Sequence, residues 1–176
     1  MNQKQLDILR KNNEESRDFV RSCFRFALMI ILKDKTKKRT ITQLCQIAGV
    51  SRTAFYRNYQ TIDDVLVDEI RLFALSLAKG IGTDIYENWL LLFNAVEEKR
   101  SDLEAIVEAG FEAKILEVFY SFLPKEERNR TIQCLWLSMF YGLMIKWLKE
   151  KKPAKAEDMA RIAFEYTKNI PLVSVE

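Results

Sequence analysis

Five long or branched polar side chains fall within seven residues of the stretch "SRTAFYRNY": Arg52, Thr53, Tyr56, Arg57 and Asn58. Guanidinium, hydroxyl, phenol and amide donors crowded onto one short helix are the groups that meet phosphate oxygens and base edges. Just upstream, "AGVS" sets a Gly, an apolar residue and a Ser between two short amphipathic stretches. Gly49 can adopt the positive φ that ends a helix at a sharp turn, Val50 can fill the angle, and Ser51 can cap the helix that follows. A helix, a short turn containing Gly and a second helix together lay a recognition helix in the DNA major groove.

Other chemistries find little support. The 176 residues contain no His, which removes the commonest metal ligand and general base and any Ser-His or Cys-His pair. No Gly-rich phosphate loop is present, and no carboxylate pair stands out. Cys23, Cys45 and Cys134 are odd in number and lack CxxC spacing, so they read as small buried hydrophobes in a reducing compartment. An enzyme is therefore not expected, and neither a cofactor nor a metal is called for.

The formal charge of +3 is unevenly spread. Residues 1–64 hold thirteen Lys/Arg against seven Asp/Glu, and the remainder holds fifteen against eighteen. A basic first third suggests a polyanionic partner. On charge alone, the run "KDKTKKR" (33–39) reads equally well as a solvated loop. The polar N-terminus leads us to expect no signal peptide. The apolar runs "FALMIIL" and "TIQCLWLSMFYGLMI" fall short of the about 20 residues a membrane span needs. Both are expected to be buried helices of a cytoplasmic protein.

The elements that must position the donors follow from helical periodicity. Phe19, Cys23, Phe26/Ala27 and Ile30 recur on one side of a first helix from Ser16 to Leu32. Thr40 or Thr42 caps a second, with Ile41, Leu44, Cys45 and Ala48 inward. Ser51 caps a third, with Phe55 and Tyr59 inward. Thr61 caps a fourth, and Asp64 three residues on makes an imperfect capping box. "KGIGT" (79–83) is the best boundary, giving domains of residues 1–78 and 79–176. Further helices follow, one capped by Ser101 and one closed by Pro124. Another runs over roughly 126–151 and stops before Pro153, and the last ends before Pro171. No segment alternates with period two, so the fold is expected to be all-α with about nine helices.

The span "TITQLCQIAGVSRTAFYRNYQTIDDVL" (40–66) resembles the TetR family of bacterial transcriptional regulators. The likeness lies in a Thr-led second helix ending in Ala-Gly-Val-Ser, then aromatic-Tyr, then an aromatic three residues after that Tyr. It runs over residues 16–75 and loosens beyond, where "FYGLMIKWLKEKKPAKAEDMARI" is similar to a Firmicutes-type branch. The resemblance implies a helix-turn-helix DNA-binding domain followed by a helical effector-binding and dimerisation domain. Thr42 and Ser51 then take the places of phosphate contacts, Arg52 and Thr53 of base contacts, and Tyr56 of the phosphate-binding tyrosine. Arg57 and Asn58 stand where either contact is made. The family usually has a Lys near the start of helix four, where this sequence offers Ile62.

For the second half, the residues give their own argument. Between Ile132 and Leu148 apolar side chains point in nearly every direction, and a helix apolar all round must be covered all round. A second copy of the chain is the expected cover. Its contact is expected at Leu135, Met139, Gly142 and Ile145, together with Met159, Ala163 and Thr167 of the last helix. Two helices from each subunit in a four-helix bundle is also the dimer that the resemblance implies. The family's small effector would meet an aromatic set of Trp89, Phe93, Phe111, Phe119, Tyr120, Trp136, Phe140 and Tyr141, which equally well fills a core. The leading expectation is a homodimeric repressor released from a palindromic DNA operator by a small apolar or aromatic effector. The alternative is a co-activator whose second domain binds a protein.

Overall fold

The computed structural model describes residues 3–123 and 127–170, with side chains from 11 to 123 and from 130 to 170. Among the described residues the chain is all-α, with nine helices and no strand. Packing divides it into two compact units, Met1–Glu69 and Ile70–Glu176.

The first unit contains α1 (Gln3–Lys33), α2 (Ile41–Ala48), α3 (Arg52–Asn58) and the beginning of α4 (Ile62–Ala78). The expected boundary at residues 78/79 coincides with the end of α4, whereas packing divides the chain within that helix. The core is built on Phe24, Ala27, Leu28 and Ile31 of α1, which close over Leu44, Phe55, Tyr59, Val65 and Leu66. Phe24 meets the ring of Phe55 edge-on at 5.4 Å and that of Tyr59 at 6.1 Å, a favoured aromatic geometry.

This corrects the expected inner face of α1. Phe19 and Phe26 are each 69% exposed, and the buried side lies about one residue further round the helix. Residues 19–32 are apolar on more than one side, so spacing alone could not choose; the fit of Phe24 against two rings did. The helix also begins thirteen residues before Ser16.

The second unit holds α5 (Ile85–Glu98), α6 (Arg100–Glu108), α7 (Glu112–Tyr120), α8 (Glu127–Leu148) and α9 (Ala156–Thr167). Asp84 caps α5 by accepting from the Glu87 N–H at 2.9 Å. The expected cap at Ser101 is not formed: α6 starts at Arg100, behind Lys99. The expected stops at Pro124 and Pro171 lie outside the described residues. α5 is central, with Trp89, Phe93 and Val96 buried, and α9 lies along it through Ala156, Met159, Ala160 and Ala163. Small side chains let the two backbones come close, and the Trp89 indole N–H donates to the Thr167 hydroxyl at 2.8 Å. Among the described residues no helix is long and apolar enough to cross a membrane.

Candidate nucleic-acid interface

The turn that aims α3 is fixed by backbone hydrogen bonds. Gly49 sits at φ 64°, ψ 25°, and its N–H donates to Gln46 O while the Val50 N–H reaches Cys45 O at 3.1 Å. This is a Schellman ending, whose left-handed residue favours Gly. Thr40, not Thr42, caps α2: its hydroxyl accepts from the Gln43 N–H at 3.2 Å. Ser51 caps α3 by accepting from the Ala54 N–H at 3.1 Å. At the start of α4 the box is reciprocal. Asp64 accepts from the N–H groups of Gln60 and Thr61 at 2.9 and 2.8 Å, and the Thr61 hydroxyl accepts from the Asp64 N–H. These bonds from the Thr61 end of the helix hold the Asp64 carboxyl below its usual range.

With α3 held this way, Arg52, Thr53, Tyr56 and Arg57 are exposed on it, and Thr42 and Ser51 are exposed beside it. The Tyr56 ring rests edge-on against Phe55 at 5.4 Å, which aims its phenol outward. Asn58 does not join them. It is half-buried, its amide donates back to Ala54 O at 2.8 Å, and its side-chain oxygen is buried without a partner. Asn58 therefore serves the end of its own helix, a correction to its expected place among the outward donors. Ile62 is half-buried at the first position of α4. In the basic loop, Asp34 gathers Lys37 and Thr36, and those bonds bring its carboxyl down to about 2.

One cluster escaped the sequence reading. Asp68, on α4, accepts from the Tyr59 hydroxyl at 2.6 Å, from Arg25 at 2.8 Å and from both Nε (3.3 Å) and Nη2 of Arg21. Arg21 Nε also approaches the Tyr59 oxygen at 3.3 Å, and Arg25 pairs with Glu69 at 3.3 Å. Burial pushes the Tyr59 hydroxyl up to about 12, with the bond to Asp68 adding to it. Burial also pushes Asp68 upward, but the bonds from Tyr59 and Arg25 and the two guanidinium charges outweigh it and leave the carboxyl below its usual range. The signal was present in Arg21 and Arg25, one turn apart in the apolar second half of α1. Their partner lies over forty residues away and carries no local mark.

In the second unit Trp89, Phe93, Phe119, Trp136 and Phe140 form one ring cluster, with centroid separations from 5.7 to 6.5 Å. Phe111, Tyr120 and Tyr141 are half-buried; Tyr120 shares a hydrogen bond with Ser138, and Tyr141 donates to Glu112 O. Of the expected dimer contacts, Leu135 is 56% exposed, Gly142 is exposed, and Met139 and Ile145 are half-buried. Met159, Ala163 and Thr167 are buried within the chain, against α5, and so do not face outward as expected. The outer side of α9 carries Ile162 and the 85% exposed Tyr166 instead.

No protein-family model matches the sequence, and no curated protein matches it. Among solved structures, the fold is similar to that of a TetR transcriptional regulator from Streptococcus agalactiae 2603V, with a TM-score of 0.56 and 15% sequence identity. The match covers 89% of this chain and 97% of that one. Among the described residues, nine helices, a capped and glycine-ended pair among them, share the fold of that TetR transcriptional regulator.

Proposed function

We propose that the chain is a DNA-binding transcriptional regulator acting as a homodimer, with residues 1–78 meeting DNA and 79–176 carrying the effector site and the dimer contact. The observation that carries this reading is the set of Arg52, Thr53, Tyr56 and Arg57 held outward on a helix aimed by Gly49 and Ser51. Arg52 and Thr53 are the base readers, while Tyr56, Thr42 and Ser51 hold phosphates. The dimer contact uses Leu135, Met139, Gly142 and Ile145 of α8 with Ile162 and Tyr166 of α9. Leu135, Ile162 and Tyr166 expose apolar surface in the single chain. The regulator acts as a repressor, released from a palindromic operator by a small apolar or aromatic effector. In support, the Trp136 indole N–H is buried in the ring cluster without a partner, a donor that a ligand could engage.

The test has two arms. Selection from a random-sequence duplex pool should enrich a near-palindrome, and failure to enrich any sequence would sink the reading. Sedimentation should give a dimer at micromolar concentration, weakened by Gly142→Leu. Gly142 is exposed and a Cβ there meets nothing within 4 Å of its own chain, so a weaker dimer with an unchanged monomer melting point reports on the partner.

A further inference from the structure

We propose that Asp68 and the Tyr59 hydroxyl are positioning groups for the recognition helix: they touch no DNA, yet their hydrogen bond fixes the end of α3 from which Arg52, Tyr56 and Arg57 are aimed. The inference rests on the DNA-binding reading above.

α3 has only seven residues, too few to hold its own shape or direction. Two inner anchors follow from its sequence, Phe55 and Tyr59. The Phe55 ring is held by apolar and edge-on ring contacts, which fix direction less tightly than a hydrogen bond to a charged group. Tyr59 is the residue that ends α3, its N–H donating to Phe55 O at 2.8 Å, and its ring carries a polar tip. That tip points at a carboxylate whose acceptor sites are taken by Tyr59, Arg21 and Arg25. Asp68 is itself held from two sides, so the phenol meets a fixed oxygen.

The cost of this arrangement argues for a purpose other than stability. The Asp68 side chain is only 10% exposed and that of Arg25 17%, and a buried ion cluster often stabilises no better than apolar side chains of the same volume. Such a cluster offers direction. The two arginines tie α1 to α4, a pair that packing alone could have joined. Only through the phenol does the cluster reach the chain at the end of α3, by the short bond to Asp68 and a longer one from Arg21 Nε at 3.3 Å. Removing the hydroxyl therefore separates aim from attachment: Tyr59→Phe keeps the ring against Phe24 and Phe55 and leaves both Arg–Asp68 pairs in place.

The experiment uses the full chain and two probes: a duplex enriched by the unmodified protein from a random pool, and a scrambled duplex of the same length. Tyr59→Phe, which removes the bond to Asp68 and the longer one from Arg21, should weaken binding to the enriched duplex by about tenfold and to the scrambled one by less than about twofold. Without DNA, amide exchange across residues 52–58 should quicken while residues 41–48 keep their protection. Asp68→Asn should do the same more strongly, and Tyr59→Phe decides the matter where that variant folds poorly. Unchanged protection of α3, or equal losses on both duplexes accompanied by a lower melting point, would overturn the proposal. If the unmodified protein enriches no duplex, the DNA-binding reading falls, and the exchange measurement still decides whether the hydroxyl orders α3.

Discussion

Two short helices, α3 and α9, solve opposite problems. α3 buries one ring and the end residue that follows it, and turns Arg52, Thr53, Tyr56 and Arg57 to solvent. α9 buries Ala156, Met159, Ala160, Ala163 and Thr167, and turns apolar Ile162 and Tyr166 outward beside charged residues. The inner side of α3 is anchored by a directional bond to a carboxylate, whereas that of α9 is anchored by close approach of small side chains and one neutral bond from Trp89. Outward donors suit a charged, hydrated partner and need precise aim. An outward apolar strip suits another protein surface, where fit matters more than the direction of any one group.

The comparison can be broken most forcefully at Phe55, which is fully buried. Phe55→Ala should cost about 3–5 kcal/mol, read as a shift in the denaturant midpoint, because α3 loses its main apolar anchor. A loss below about 1 kcal/mol would show that the caps and Tyr59 suffice. At the matching place on α9, Ala160→Leu should cost about 1–3 kcal/mol by overpacking against α5, with the same measurement. A neutral result there would mean that the two helices are not in close contact.

The outward faces should respond differently. Arg52→Ala should cost about 1–3 kcal/mol on an enriched duplex and less on random DNA, while Tyr56→Phe should lower both alike. Titrations at fixed salt check this, and equal losses for Arg52→Ala would make it a phosphate anchor. Acid should give the smallest effect. Asp64 and Asp68 have folded pKa values below their unfolded ones, so the stability they lend is present above about pH 4 and is lost as pH falls through the lowered values. The buried residues of α9 include no ionisable group. Amide exchange at about pH 3 should therefore loosen α3 and the start of α4 before α9; simultaneous loosening would erase the distinction.

Local chemistry was legible where a few neighbouring residues suffice. Gly49, Ser51 and Thr61 end or cap helices through bonds that span five residues or fewer, so the sequence alone determined the turn and the two ends of α3, while its direction depends on Phe55 and on the bond from Tyr59 to Asp68. Helical periodicity likewise determined the all-α class and most helix limits. It did not decide which side of α1 or α9 faces inward. Phe19 and Phe26 carry the same helical signal as Phe24, and only the rings of Phe55 and Tyr59, brought from another part of the chain, make Phe24 the buried one. The small residues of α9 could serve contact with either a second subunit or α5, and the Trp89–Thr167 bond belongs to the second case. The cluster around Asp68 depended most on tertiary structure. Its members are ordinary where they stand in the sequence, and their charges gain strength only when folding brings them together and removes the water between them.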